Sequence, residues 1–152
     1  MKIEEVLRKI ELFNGLSDQE LKLVEMICKE KRFTPGEVIV SQGEYTDELY
    51  VITQGFVEVH LGKPSKKIKD LVTLGEGQIT GEISLVDQGP RSATVAAGTE
   101  PTTVQIIDRK DLETICLETP SIGYIIMRNI ATDLAFKLRH RNINEGGEYG
   151  DL

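Results

Sequence analysis

The spacing of apolar positions changes twice along the chain and divides it into a helical, a strand-rich and a second helical part. Behind Ser17 the apolar residues recur at helical intervals, beginning with Leu21 and Val24. Ser17 and Glu20 also have the spacing of a capping box, in which each side chain accepts a hydrogen bond from the other residue's backbone amide. The pattern therefore predicts a helical part over residues 1–32.

The middle part carries short apolar runs, such as VIV at 38–40 and TTVQII at 102–107, that fit strands. Glycines interrupt these runs about every ten residues, which is the spacing of turns between short antiparallel strands. Alternating βα units would need helical segments between the strands. We therefore predict an antiparallel β-roll (a jelly roll, or double-stranded β-helix) over residues 33–107, and an α+β fold class.

The last part returns to helical spacing. Asp108 is placed to cap one helix and Pro120 to open a second, longer one. C-terminal helices are therefore predicted over residues 108–144, with residues 145–152 as a flexible tail. Residues 1–144 are expected to form one domain.

Apolar residues cover well over half the circumference of the long last helix, whereas a helix on the surface of its own domain needs a stripe of about 100°. We interpret the excess as a second burial partner, the same helix of another copy, which gives a homodimer. The heptad seam of that dimer would consist of Tyr124, Met127, Ala131, Leu134 and Leu138. The alternative is a helix buried in one groove of its own domain.

The charge balance limits the partners of the protein. The chain has 18 basic and 25 acidic residues and a net charge of -7, which argues against broad attraction to nucleic acid or to anionic lipid. The basic cluster KLRHR at 137–141 is interpreted as a solvated helix face, or as favourable charge near a helix end, rather than as a nucleic-acid patch. No segment approaches the roughly 20 apolar residues of a membrane span, so we expect a cytoplasmic protein.

Enzymatic and metal chemistry find little support in the sequence. Cys28 and Cys116 lie in apolar helical patterns without a second cysteine at metal-ligand spacing, and they are interpreted as buried thiols in a reducing compartment. His60 and His140 do not form the clustered set with which roll-shaped enzymes of the cupin type hold a metal. We therefore expect no catalytic residue, no metal and no cofactor.

One short stretch, GEISLVDQGPRSATV at 81–95, carries the candidate binding chemistry. The first backbone amides of the helical turn behind Gly81 lack partners inside the turn and suit an anion. The forked guanidinium of Arg91 suits a phosphate, whereas the carboxylate of Glu82 accepts hydrogen bonds from a sugar hydroxyl. Together these groups indicate a sugar phosphate ligand. The alternative is a structural salt bridge between Glu82 and Arg91.

This stretch resembles the phosphate-binding cassette of cyclic nucleotide-binding domains, whose pattern is Phe-Gly-Glu, an apolar run, a variable loop and then Arg-Ala/Ser/Thr-Ala-Thr/Ser-Val. The segment FTPGEVIVSQGEYTDELYVITQGFVEV at 33–59 resembles the first strands of that family. LFNGLSDQEL resembles its N-terminal helix, and IDRKDL with the long last helix resembles its ending. The resemblance implies a domain of the catabolite activator or protein kinase A regulatory subunit type, with a cyclic nucleotide as its ligand.

Carried over residue by residue, the resemblance implies a role for each position at the start of the cassette. Gly81 lets the backbone approach the ligand, Glu82 binds the ribose 2′-hydroxyl, and Arg91 pairs with an exocyclic phosphate oxygen. The amides of Ile83 and Ser84 meet the cyclic phosphate.

The residues that end the cassette bear on the choice of base. The resemblance adds Ser92, Ala93 and Thr94 to the ligand-binding set, and Ser92 favours cAMP while leaving cGMP open. Base contacts in the family also come from the last helix, at positions that fall near Arg141 and Asn142.

The chain departs from the family pattern at three points. Thr80 stands where the family often has an aromatic residue, and Ser84 replaces the usual alanine; both changes predict a lower affinity without loss of the ligand. Only EGGEYGDL follows Asn144, so no helix-turn-helix domain and no direct DNA binding are expected, and the sensor would act on an unknown effector protein. The alternative is a degenerate domain that serves as a dimerisation or docking module without a ligand.

Overall fold

The structure is a computed structural model that describes residues 2–61 and 71–144. Within these ranges two helices precede the strands and two follow them: α1 (Ile3–Lys9), α2 (Asp18–Met26), α3 (Arg109–Glu118) and α4 (Pro120–Asn144). The predicted capping box opens α2, because Ser17 Oγ accepts from the Glu20 amide at 3.2 Å and the Glu20 carboxylate accepts from the Ser17 amide at 2.8 Å.

The start of each C-terminal helix also follows the prediction. The Asp108 carboxylate accepts from the amides of Lys110 and Asp111, which caps α3, and Pro120 is the first residue of α4. The Asp108 carboxylate supplies a partner for amides that the first turn of a helix leaves unpaired, whereas Pro120 has no backbone N–H to satisfy.

Two antiparallel sheets form the middle of the described chain. Their strands are β1 (Cys28–Phe33), β2 (Val38–Val40), β3 (Glu48–Gln54), β4 (Val57–Leu61), β5 (Leu71–Leu74), β6 (Ile79–Thr80), β7 (Ala93–Ala97) and β8 (Thr102–Asp108). One sheet has the strand order β1-β8-β3-β6 and the other the order β2-β7-β4-β5. The predicted β-roll and the α+β class are confirmed.

The helical part ends before the predicted boundary. The sequence predicts helix up to residue 32, whereas α2 ends at Met26 and β1 begins at Cys28. The physical reason is that β1, with the sequence CKEKRF, lies at the edge of its sheet and pairs only with β8. Its central residues are charged and exposed, which protects an open edge but removes the alternation by which strands are recognised.

Two apolar cores hold the layers together, and β3 belongs to both. Leu49 and Val51 point into a core between the helices and one sheet, while Tyr50 and Ile52 point into a core inside the roll. This division follows from the period of two along a strand, which sends successive side chains to opposite faces. The N-terminal helices, α3 and α4 therefore share one core with the same sheet of the roll.

Helix α4 is anchored along its first half. Ile122 is 0% and Ile130 4% exposed, and both belong to the core beneath the helices. The side-chain amide of Asn129 donates to the carbonyl oxygens of Leu12 at 2.9 Å and Asn14 at 2.8 Å. The helix is therefore fastened to the N-terminal segment as well as to the roll.

The outer face of α4 is exposed. Tyr124, Met127 and Leu138, three residues of the predicted heptad seam, are 66%, 37% and 46% exposed. Leu134 packs against the core beneath the helices instead. The helix is therefore buried along one face in its own domain, and its other face is exposed in the single chain. No helix of the described chain is long and apolar enough to cross a membrane.

The two cysteines are free and half-buried. Burial raises the pKa of Cys28 to about 12 and also raises the pKa of Cys116. A thiol with a raised pKa is protonated at neutral pH and reacts slowly, which suits structural cysteines. The apolar neighbours of Cys28 had indicated a helix, but Cys28 is the first residue of β1.

Candidate ligand-binding site

The cassette begins where β6 gives way to a short 3-10 turn over Glu82–Leu85. Gly81 joins the two with a φ of +94°, in the left-handed region that favours glycine. A Cβ atom at this position would stand 2.5 Å from Nη1 of Arg91 and 2.8 Å from the carbonyl oxygen of Glu48. The residue must therefore be glycine both for its backbone conformation and for the closeness of the guanidinium.

Neutral groups hold the guanidinium of Arg91. Its Nε donates to Thr46 Oγ1 at 2.6 Å, an Nη donates to the carbonyl oxygen of Glu48, and the group lies 5.8 Å from the ring centroid of Tyr50. The Arg91 amide also donates to the carbonyl oxygen of Glu44 at 2.8 Å. Because these partners carry no full charge, the side chain is fixed in place while its positive charge stays available for an anion.

The structure does not contain the salt bridge between Glu82 and Arg91 that the sequence left open as an alternative. Among the ion pairs of residues 2–61 and 71–144, none joins Glu82 to Arg91. The two side chains instead face the same cavity.

That cavity has a volume of about 420 Å³. Its lining includes all but one of the predicted cassette residues: Gly81, Glu82, Ile83, Ser84, Arg91, Ser92 and Ala93. Its apolar wall comes from strands of both sheets and consists of Val59, Val72, Leu74, Ile79 and Val95. The site thus combines charged side chains and hydroxyls with an apolar wall, a composition typical of a pocket for a small polar ligand.

Thr94 lies outside this lining. In β7 its neighbours Ala93 and Val95 are buried inside the roll, so the alternation of the strand turns Thr94 the other way. Its Oγ1 accepts from the backbone amide of Gln42 at 3.0 Å, which ties β7 to the loop behind β2.

The backbone amide of Ser84 is already engaged. It donates to the carbonyl oxygen of Gly81 at 3.1 Å, and the Ser84 hydroxyl donates to the same oxygen at 2.7 Å. A 3-10 turn closes its first hydrogen bond one residue earlier than an α-helix, which accounts for the difference from the expected free amide. The side chains of Arg141 and Asn142, at the end of α4, lie outside the described residues.

Helix α4 brings to the cavity a residue that the sequence analysis did not select. Lys137 lines it, and its Nζ lies 2.8 Å from Asp133 Oδ2. The cluster at 137–141 is therefore not simply a solvated face. A signal was present, because Lys137 follows the buried Ile130 by seven residues and so lies on the same face of the helix.

Glu82 is a largely buried carboxyl surrounded by charges. Burial raises its pKa, and the charge of Asp133 acts in the same direction, whereas Lys137 and Arg91 act against it. A carboxylate here can accept hydrogen bonds from a ligand as long as these cations keep it ionised.

The comparison with known families decides what this site belongs to. The model of the cyclic nucleotide-binding domain matches residues 30–119, which contain most of β1, all the other strands and the whole cassette. This chain belongs to the cyclic nucleotide-binding domain family. The family resemblance found in the sequence is thereby confirmed.

Relatives of this cyclic nucleotide-binding domain include regulators and kinases. The Cyclic AMP receptor protein of Thermus thermophilus is 31% identical over 135 residues, which cover 87% of this chain and 59% of that protein. The cGMP-dependent protein kinase of Plasmodium berghei is 31% identical over 124 residues, 82% of this chain and 13% of the kinase. This chain thus spans about three fifths of the bacterial regulator and a small part of the kinase.

Solved structures agree with the sequence relatives. The crystal structure of the Thermus thermophilus catabolite activator protein has a TM-score of 0.75 and 29% identity, over 90% of this chain and 62% of that one. Within residues 2–61 and 71–144, no group of three or more His, Cys, Asp or Glu side chains is placed to hold a metal ion.

Proposed function

We propose that this domain is a cyclic nucleotide sensor that binds cAMP in preference to cGMP and regulates an effector protein rather than catalysing a reaction. The observation that carries the proposal is the guanidinium of Arg91, which is held by neutral groups and lines the same cavity as the Glu82 carboxylate. A cation and a carboxylate on one small cavity match the phosphate and the ribose of a single ligand. The proposed unit is residues 1–144.

The cyclic phosphate would lie against Arg91. A cyclic diester carries one negative charge, which one guanidinium can neutralise inside a mostly apolar roll. The Ile83 amide would assist, since the Ser84 amide is engaged with Gly81. The ribose 2′-hydroxyl would donate to Glu82.

The preference for cAMP rests on Ser92, which lines the cavity, and on the cyclic AMP receptor protein among the relatives. The base contacts are assigned to Arg141 and Asn142 at the end of α4, as the family resemblance implies. Losing one or two such hydrogen bonds costs about 1 to 3 kcal/mol, so we expect cAMP to bind at least about fivefold more tightly than cGMP.

The signal would pass through α4. Its first half is fastened by Ile130 and by Asn129, whereas Phe136 and Leu138 further along are 61% and 46% exposed. A ligand that prefers one arrangement of the second half shifts the equilibrium by the difference in its affinity for the two arrangements. The exposed seam of α4 would pair with a second copy to form a homodimer.

Calorimetric titration of cAMP and cGMP into the wild-type protein tests this function. We expect micromolar binding of cAMP and weaker binding of cGMP. The absence of heat and of a thermal shift with either nucleotide would instead favour the degenerate domain, whose cassette serves only as a structural loop.

A further inference from the structure

A second cavity of about 310 Å³ lies next to the ligand cavity, between the N-terminal segment, the β5–β6 connection and α4. Glu82, Ile83 and Lys137 line both cavities. Lys137 therefore lies where the two cavities meet. It lines both of them together with Glu82, the carboxylate proposed to bind the ribose.

The position of Lys137 is set by its own helix. Asp133, one turn earlier, holds the ammonium group at 2.8 Å, which is the favourable i,i+4 arrangement on a helix face. A further turn back, Asn129 fastens α4 to the carbonyl oxygens of Leu12 and Asn14. The ammonium is thus presented to the cavity two turns beyond the point at which the helix is fastened.

The largely buried carboxyl of Glu82 requires a nearby cation to remain ionised. Its charged neighbours come from three directions: Arg91 and Asp87 from the cassette itself, Lys137 and Asp133 from α4, and Lys9 and Glu11 from the N-terminal segment across the second cavity. Arg91 is already bound to Thr46 and to the carbonyl oxygen of Glu48, and a phosphate would take up its charge. A largely buried carboxyl without a nearby cation takes up a proton and becomes a poorer acceptor for a hydroxyl.

We propose that Lys137 is a positioning residue for the ribose: its ammonium group, oriented by Asp133, maintains Glu82 as the charged acceptor of the 2′-hydroxyl. The inference rests on the proposed function and names the residue of α4 that supports the sugar contact. Lys137 touches neither the phosphate nor the sugar in this account and acts through Glu82 alone.

This role has a signature that a general electrostatic or structural role lacks. If Lys137 acts through Glu82, its contribution must depend on the 2′-hydroxyl that Glu82 accepts. It must then be present for cAMP and absent for 2′-deoxy-cAMP, which has the same charge and the same base. A lysine that attracted the phosphate, or supported the fold, would affect both nucleotides alike.

The experiment measures the affinity of cAMP and of 2′-deoxy-cAMP by calorimetry for the wild-type protein, Lys137→Met and Lys137→Arg, between about pH 5.5 and 8. Methionine retains most of the side-chain length without the charge, and arginine restores the charge. Arg139→Met is the matched control, since it removes the same charge from an exposed position of the same helix.

We expect Lys137→Met to weaken cAMP binding about tenfold at pH 7 and more at lower pH, and to leave 2′-deoxy-cAMP within about twofold of the wild type. Lys137→Arg restores cAMP binding, and Arg139→Met changes neither nucleotide. Equal weakening of both nucleotides by Lys137→Met, or no effect on either, overturns the inference while leaving the sensor function intact. A wild-type protein that binds no cyclic nucleotide would refute the proposed function itself.

Discussion

Gly81 and Arg91 are packed so closely that a side chain at position 81 would displace the guanidinium. The backbone of Gly81 leaves no room for a Cβ, which would stand 2.5 Å from Nη1 of Arg91. The glycine also adopts a φ of +94°, which other residues reach only at a cost. The turn that begins the cassette and the cation that ends it therefore form one unit.

Substitution Gly81→Ala tests this unit. We expect a loss of about 1 to 2 kcal/mol in the free energy of unfolding from the backbone conformation, and at least a tenfold loss of cAMP affinity because the guanidinium must move. Urea denaturation and calorimetry measure the two effects. Gly36→Ala is the control, since Gly36 has a φ of +78° but no atom within 4 Å of the added Cβ. Equal nucleotide affinity of the two variants would contradict the account.

The buried carboxyl of Glu82 predicts a dependence of stability on pH. Its raised pKa means that Glu82 favours the fold while protonated, and that this contribution is lost as the pH rises through the folded-state pKa. Glu82→Gln has no charge to bury. We therefore expect this variant to be more stable than the wild type at about pH 7, and the difference to fade towards about pH 4.

Thermal unfolding of Glu82→Gln at the two pH values provides the measurement. Glu76→Gln removes the same charge from an exposed position and is the control. A variant less stable than the wild type at neutral pH would show that the carboxylate stabilises the fold rather than serving a ligand. Affinity for cAMP should fall in Glu82→Gln although the protein becomes more stable.

The two hydrogen bonds of Asn129 predict where α4 is anchored. Asn129→Ala leaves the carbonyl oxygens of Leu12 and Asn14 without this donor, so we expect a loss of about 1 to 3 kcal/mol in stability. Hydrogen exchange should become faster in α4 and in the turn around Leu12. Thr132→Ala, which removes a hydrogen bond within the helix only, is the control. Unchanged protection of α4 in Asn129→Ala would show that the apolar core alone holds it.

The exposed seam of α4 predicts the assembly state. Light scattering at micromolar concentration should give the mass of a dimer, because the apolar side chains of Tyr124 and Met127 are exposed in the single chain. The double substitution Tyr124→Glu and Met127→Glu should give a monomer that remains folded, whereas Arg128→Glu should not. A monomeric wild-type protein would refute the homodimer.

Much of the fold could be predicted because it depends on residues that act on the backbone close to them. The capping residues Ser17 and Asp108 and the glycine that starts the cassette act within a few residues of their positions, so their consequences can be predicted from the sequence. Strand β1 (Cys28–Phe33) could not be predicted from the sequence. A charged edge strand has no apolar alternation, and this one is defined by its pairing with β8.

The part of the site whose residues lie close together in the sequence could be predicted. The cassette lies in one stretch, and all its predicted residues except Thr94 line the cavity. Lys137 was not selected, because its approach to Glu82 depends on the way in which α4 packs over the roll. The engaged amide of Ser84 was also unforeseen, since the sequence does not distinguish a 3-10 turn from the first turn of an α-helix.

The proposed function depends on Arg91 binding the phosphate of a cyclic nucleotide. Calorimetric titration of cAMP into the wild-type protein, Arg91→Ala and the exposed control Arg139→Ala tests it most directly. We expect micromolar binding to the wild type and to Arg139→Ala, and a loss of about two orders of magnitude or more in Arg91→Ala. Binding of cAMP that is equally tight in a folded Arg91→Ala variant would contradict it.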